Sequence, residues 1–103
     1  MAEFVSVLPL SELPEEGFKS VEIDGRSVLV GRLQRQLFAW VDRCPHAGAP
    51  LRIGKRSGEE IKCAWHGWTF NLVNGRSIPD NPAFTLTPVA VKIEHAQVLI
   101  SLS

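Results

Sequence analysis

Two short stretches of this sequence hold most of the side chains that could bind a metal. Cys44-Pro45-His46 and Cys63-Ala64-Trp65-His66 contain both cysteines and two of the three histidines, with sixteen residues between His46 and Cys63. Gly48 follows the first stretch and Gly67 the second. One thiolate and one imidazole on each of two tight loops form a donor set for a soft or borderline metal. Other readings of these residues are two unrelated buried thiols, a Cys44–Cys63 disulfide, or a Cys2His2 zinc site. The paired spacing argues against unrelated thiols. A disulfide requires an oxidising compartment, and Met1-Ala2-Glu3-Phe4 lacks the charged-then-apolar pattern of a secretion signal. Zinc fingers commonly pair Cys with Cys and His with His, whereas each loop here mixes the two. The mixed order suits a centre with two distinguishable metals, one taking both thiolates and the other both imidazoles. A zinc-stabilised binding module without a redox role stands as the alternative of another class.

The elements that must position these loops read as strands. Eight Gly and seven Pro punctuate the chain, and short apolar-alternating runs lie between them. Phe4–Leu8 is a strand, and Leu13–Gly17 a turn or loop. Ser20–Ile23 and Ser27–Val30 flank Asp24-Gly25, a strong hairpin signal. Leu37–Val41 pairs back through a tight turn near Arg35. Residues 43–58 read as loop, and Ile61–Cys63 as a short strand. Trp68–Leu72 opens a second hairpin with an Asn74-Gly75 turn. Pro79-Asp80-Asn81-Pro82 is loop. Val89/Val91/Ile93 and Val98/Ile100/Leu102 alternate around Glu94-His95-Ala96 as a closing hairpin. The whole predicts an all-β, antiparallel sandwich or barrel, with His95 at a surface turn rather than a ligand.

Composition narrows the function. The chain has 103 residues, enough for one domain, 1–103. Eleven Lys+Arg balance eleven Asp+Glu, so no global field favours nucleic acid or a membrane surface. No apolar run approaches the length of a membrane span, and a soluble, cytoplasmic protein is expected. The charge is uneven: residues 1–25 carry six acids against Lys19, net −5, and the remainder is net +5. That asymmetry is either a solvated surface or a dipole that orients a partner.

C-x-H followed by C-x-x-H resembles the signature of the Rieske family. The likeness is strongest from Cys44-Pro45-His46-Ala47-Gly48-Ala49-Pro50-Leu51 through Cys63-Ala64-Trp65-His66-Gly67-Trp68-Thr69-Phe70-Asn71. The resemblance implies an antiparallel Rieske-type β-sandwich with a small cluster-binding sub-domain, about residues 43–70. It implies a [2Fe-2S] cluster with Cys44 and Cys63 on one iron and His46 and His66 on the other. Pro79 and Pro82 would lie in a third, shielding loop. Pro45, Ala47, Ala49, Pro50 and Leu51 would form an exposed apolar collar that either docks a partner or keeps water off the cluster. Trp65 and Trp68 are either core residues or part of that rim. Arg52, Lys55, Arg56 and Lys62 would be a basic rim, docking or merely solvated.

High-potential family members carry an extra Cys in each loop and Ser and Tyr donors to the cluster sulfurs. This chain has Ala49, Trp65, Trp68 and Phe70 there, no third cysteine and no tyrosine. A potential at the low end of the Rieske range, about −150 mV, is expected. With His95 the only other histidine, the chain cannot also build the mononuclear iron site of a ring-hydroxylating oxygenase. The resemblance therefore implies not an enzyme but a soluble one-electron carrier, a Rieske-type ferredoxin. Its donor would be a flavin- or NAD(P)H-dependent reductase and its acceptor a terminal oxygenase. A small Rieske subunit of a larger oxidoreductase, of the assimilatory nitrite reductase type, is the runner-up.

Overall fold

The computed structural model describes residues 3–45, 48–65 and 67–102. Among the described residues, ten strands form three antiparallel sheets. The first has the order β1 (Val5–Pro9), β10 (Gln97–Ser101), β9 (Ala90–Glu94). The second is the meander β2 (Gly17–Ile23), β3 (Arg26–Leu33), β4 (Gln36–Val41). The third is the meander β5 (Lys55–Ser57), β6 (Glu60–Lys62), β7 (Thr69–Asn71), β8 (Ser77–Ile78). No helix among the described residues is long and apolar enough to cross a membrane.

The second sheet is the central layer, and β3 shows why. Its Val28-Leu29-Val30 run is apolar at every position and fully buried, the pattern of a strand covered on both faces. Val28 and Val30 pack with Leu8, Ala39, Val89, Val98 and Ile100 in a core shared with the first sheet. Leu29 and Leu33 pack with Phe38, Trp40, Ile61, Phe70 and Leu72 in a core shared with the third. Between them, Gly31 lies against the Gly17 carbonyl and the rings and stems of Phe38 and Phe18, leaving no room for a Cβ.

Three tight turns set the registers. Asp24-Gly25, Gln34-Arg35 and His95-Ala96 all have positive φ at both residues. They join the pairs Ile23↔Arg26, Leu33↔Gln36 and Glu94↔Gln97. This left-handed pair matches the twist of the flanking strands. The predicted hairpins at 20–30 and 89–102 are therefore present, as is the turn near Arg35.

Two expectations need correction. Residues 43–58 are not all loop: Lys55–Ser57 is a strand paired with Glu60–Lys62, and Leu51–Ile53 is a single 3-10 turn. Charged residues on a three-residue strand give no apolar alternation to read. The Asn74-Gly75 hairpin exists, but its connection is wider than two residues, since Phe70 pairs with Ser77. Asn71 organises it, its Oδ1 accepting from the amides of Val73 at 2.8 Å and Asn74 at 3.1 Å. Gly75 takes φ 77° and sits against the Trp40 ring.

Candidate metal centre

Two loops at the junction of the second and third sheets carry the cysteines, and both close in the same way. The Cys44 amide donates to the Ala49 carbonyl at 2.8 Å, and the Cys63 amide to the Trp68 carbonyl at 2.6 Å. In each case the acceptor lies five residues on. Gly48 and Gly67, four residues after each cysteine, take φ of 76° and 71°. That left-handed region is where glycine costs least, so the two loops turn alike although their histidines stand at different offsets. His46 and His66 themselves, and Ala47, lie outside the described residues.

Cys44 and Cys63 are buried to 1% and 2% exposure and are not bridged. Their sulfurs are hydrogen-bonded to one another. Burial pushes the Cys63 thiol above its ordinary 9.0, and the hydrogen bond to Cys44 and the charge of that neighbour add to it. The Trp65 backbone N–H pulls the other way by donating to the Cys63 sulfur. Two adjacent, unbridged sulfurs, sealed in an apolar core that includes Ala49, Leu51 and Ile61, fit a pair of thiolate donors to one metal ion.

Asp42 locks the first loop to the central sheet. Its side chain is fully buried and accepts three hydrogen bonds. These come from the Ser27 hydroxyl at 2.8 Å, the Arg52 amide at 2.9 Å and Arg52 Nη1 at 2.6 Å. Asp42 precedes Cys44 by two residues and Arg52 follows Leu51, so one carboxylate ties both ends of the loop. The sequence reading missed it; the signal was a carboxylate directly after the apolar run Leu37–Val41.

The collar expectation is corrected. Ala49 and Leu51 are completely buried, so they seal the cysteines from beneath and present no docking surface. Pro45 and Pro50 are half-buried, and Ala47 lies outside the described residues. The exposed apolar side chains nearby are instead Ile53 at 56%, Trp65 at 52% and Ile78 at 42%. The two tryptophans part company. Trp65 is solvent-exposed, while Trp68 is half-buried and packs edge-to-face on Phe84 with ring centroids 4.9 Å apart. Trp68, Gly67, Pro79 and Pro82 line one recess of about 480 Å³. The Pro79–Pro82 loop thus stands against the second cysteine loop. Ser77 holds it, its Oγ accepting from the Asn81 amide at 2.8 Å.

The basic rim also divides. Arg52 is engaged by Asp42, and Arg56 donates to the Gly58 carbonyl at 2.6 Å. Lys55 and Lys62 are exposed. His95 stands in its exposed turn, at the start of which Glu94 pairs with Gln97.

Comparison with known proteins adds to this geometry. Residues 3–91 match the model of the Rieske [2Fe-2S] domain. The chain is 27% identical over 101 residues to the ferredoxin component of the naphthalene 1,2-dioxygenase system of Pseudomonas aeruginosa, covering 98% of this chain and 97% of that protein. Its fold superposes on the ferredoxin of carbazole 1,9a-dioxygenase from Nocardioides aromaticivorans IC177 with a TM-score of 0.78, at 25% identity and over 97% and 98% of the two chains. It is likewise similar, with a TM-score of 0.78, 26% identity and coverage of 95% and 92%, to a chain in a complex of reduced oxygenase and oxidized ferredoxin of carbazole 1,9a-dioxygenase.

Proposed function

This chain belongs to the Rieske [2Fe-2S] family, and on that premise we propose that it is the ferredoxin of an oxygenase system, passing single electrons from a flavin- or NAD(P)H-dependent reductase to a terminal oxygenase. Its cofactor is a Rieske [2Fe-2S] cluster, and the protein is an electron carrier rather than a catalyst. The bound cluster supplies a one-electron couple. The chain's own residues hold it, exclude water from its inner side and present its outer side to partners.

Cys44 and Cys63 are the thiolate ligands of one iron in this reading, and His46 and His66 the imidazole ligands of the other. The observation that carries it is the pair of buried, unbridged, mutually hydrogen-bonded sulfurs at the head of two identically closed loops. Residues 43–70 are then the cluster-binding sub-domain of a single domain, 1–103. Leu51 shields from below, Trp68, Pro79 and Pro82 from the side, and Pro45 and Trp65 complete the rim. A cytoplasmic location belongs to the same reading. The oxygenase as acceptor is supported by the solved complex of a similar chain with an oxygenase.

The potential belongs at the low end of the Rieske range, about −150 mV. A potential rises when donors stabilise the charge on the sulfurs of the reduced cluster. Here Ala49 and Phe70 carry no donor, and the backbone N–H of Trp65 is what donates to the Cys63 sulfur besides its partner Cys44. The test is an absorption and EPR spectrum of the purified protein, with a redox titration. A red-brown protein with a rhombic signal on reduction is expected, and a potential above about 0 mV overturns the low-potential assignment. A colourless protein holding zinc overturns electron transfer altogether.

A further inference from the structure

The third sheet turns one face to the core and one to solvent, and the solvent face carries an arrangement that costs energy on its own. Cross-strand partners place Lys55 opposite Lys62, Lys62 opposite Thr69, and Thr69 opposite Ile78. Directly paired residues on neighbouring strands project to the same side, so these four form one row across the whole sheet. The next row, Arg56, Ile61, Phe70 and Ser77, projects the other way, and its last three members are completely or almost completely buried. The first row is therefore the outer one. Lys55, Lys62 and Ile78 are exposed, and Thr69 is half-buried.

Two lysines directly opposite each other repel and destabilise the strand pair. Neither makes an ion pair among the described residues. Glu60 stands on the same face one row further from the cysteines, opposite Asn71, and reaches neither ammonium group within 4.0 Å. The row abuts the metal centre: Cys63 follows Lys62, and the ammonium end of Lys62 lies beside Gly67, the residue after His66. Exposed Ile53 precedes Lys55 by two residues, and exposed Trp65 follows Lys62 by three. A cationic pair with an apolar end, left without a counter-charge at the functional end of a chain of zero net charge, is complementary to carboxylates on another surface.

Resting on the function proposed above, we propose that the outer face Lys55–Lys62–Thr69–Ile78 is a docking face for an acidic patch on a redox-partner protein. The partner's carboxylates sit on the lysine pair and its apolar edge on Ile78. The chain's other two lysines each stand beside a carboxylate, Lys19 beside Glu12 and Lys92 beside Glu94, and lie on the other two sheets.

The test uses the full-length purified protein and two readouts. The first is retention on a polyaspartate-coated column near neutral pH. The wild type is expected to be retained despite its zero net charge, Lys55→Gln/Lys62→Gln to flow through, and Lys19→Gln/Lys92→Gln, with the same change in net charge, to be retained. Equal loss in both double variants, or no retention of the wild type, overturns the proposal. The second is the salt dependence of oxidation of the dithionite-reduced protein. The rate with anionic ferricyanide is expected to fall severalfold with added salt and that with a cationic cobalt(III) tris-phenanthroline to rise, both trends vanishing in Lys55→Gln/Lys62→Gln. Trends that persist in that variant overturn the face. A concentration-dependent dimer in sedimentation, abolished by the same variant, replaces the partner with the acidic segment of a second copy. A red-brown protein that ignores the polyaspartate refutes the docking face alone; a colourless protein that is retained refutes the electron-carrier reading and with it the redox nature of the partner, and leaves the acid-binding face standing.

Discussion

The two ends of this molecule are held together by different means. The scaffold end, β1–β4 with β9 and β10, has strands of five to eight residues and an aliphatic core. Long ladders and buried Val, Ile and Leu make it self-sufficient. The metal end, β5–β8 and the cysteine loops, has strands of two or three residues. Strands that short are marginal alone, and side-chain anchors do the remaining work: Asp42, Asn71, Ser77 and the Trp40 indole, which donates to the buried Leu72 carbonyl at 2.7 Å. Rigidity of the scaffold comes from its pattern. Rigidity of the metal end comes from a few specific bonds, and its bound metal adds to them, since metal binding to a folded site is also folding free energy.

The sharpest way to break this contrast is to remove one sulfur. Cys44→Ser or Cys63→Ser is expected to abolish the visible absorption and lower iron content at least about tenfold, while far-UV circular dichroism retains the scaffold strands. If the scaffold unfolds with the metal, the two ends are one cooperative unit. Ile100→Ala, at a fully buried scaffold position, should cost about 2–5 kcal/mol in denaturant unfolding and leave the absorption spectrum unchanged. Asp42→Ala should cost about 2 kcal/mol, the worth of a charged hydrogen-bond set, but unlike Ile100→Ala it should also speed loss of iron to a chelator.

A pH series separates the ends more finely. The metal-free protein holds Cys63 with a raised pKa, so its folded state binds that proton more tightly than the unfolded chain does. The resulting stability is present below the ordinary value of 9.0 and is lost as pH rises through the raised one. Metal-free protein should therefore weaken in urea as pH rises above 9.0. Metal-loaded protein, whose thiols have already given up their protons, should lack that particular loss. The smallest expected effect is at the scaffold's far turn. Ala96 has φ 59°, and Ala96→Gly should raise the thermal midpoint by an amount equivalent to about 1 kcal/mol.

The sequence carried the local decisions of this fold. Asp24-Gly25 announced its hairpin because few dipeptides adopt two left-handed residues cheaply, and the period of two in β9 and β10 reported a one-sided surface. Both cysteines and their glycines were legible because metal ligation restricts residue type and spacing at once. What sequence could not decide was which side a residue faces when pattern is absent. Pro45–Leu51 looked like an exposed collar, yet Ala49 and Leu51 are core, because the loop folds back over the sulfurs and that direction is set by its closing hydrogen bonds. The basic residues at 52–62 looked equivalent until the turn Leu51–Ile53 set Arg52 on a buried carboxylate and the strand register paired Lys55 with Lys62. Composition and spacing determine which atoms are available for chemistry; only the packing of three sheets determines which of them meet, because contacts between residues far apart in the chain depend on the register of strands whose own sequences are too short and too polar to declare it.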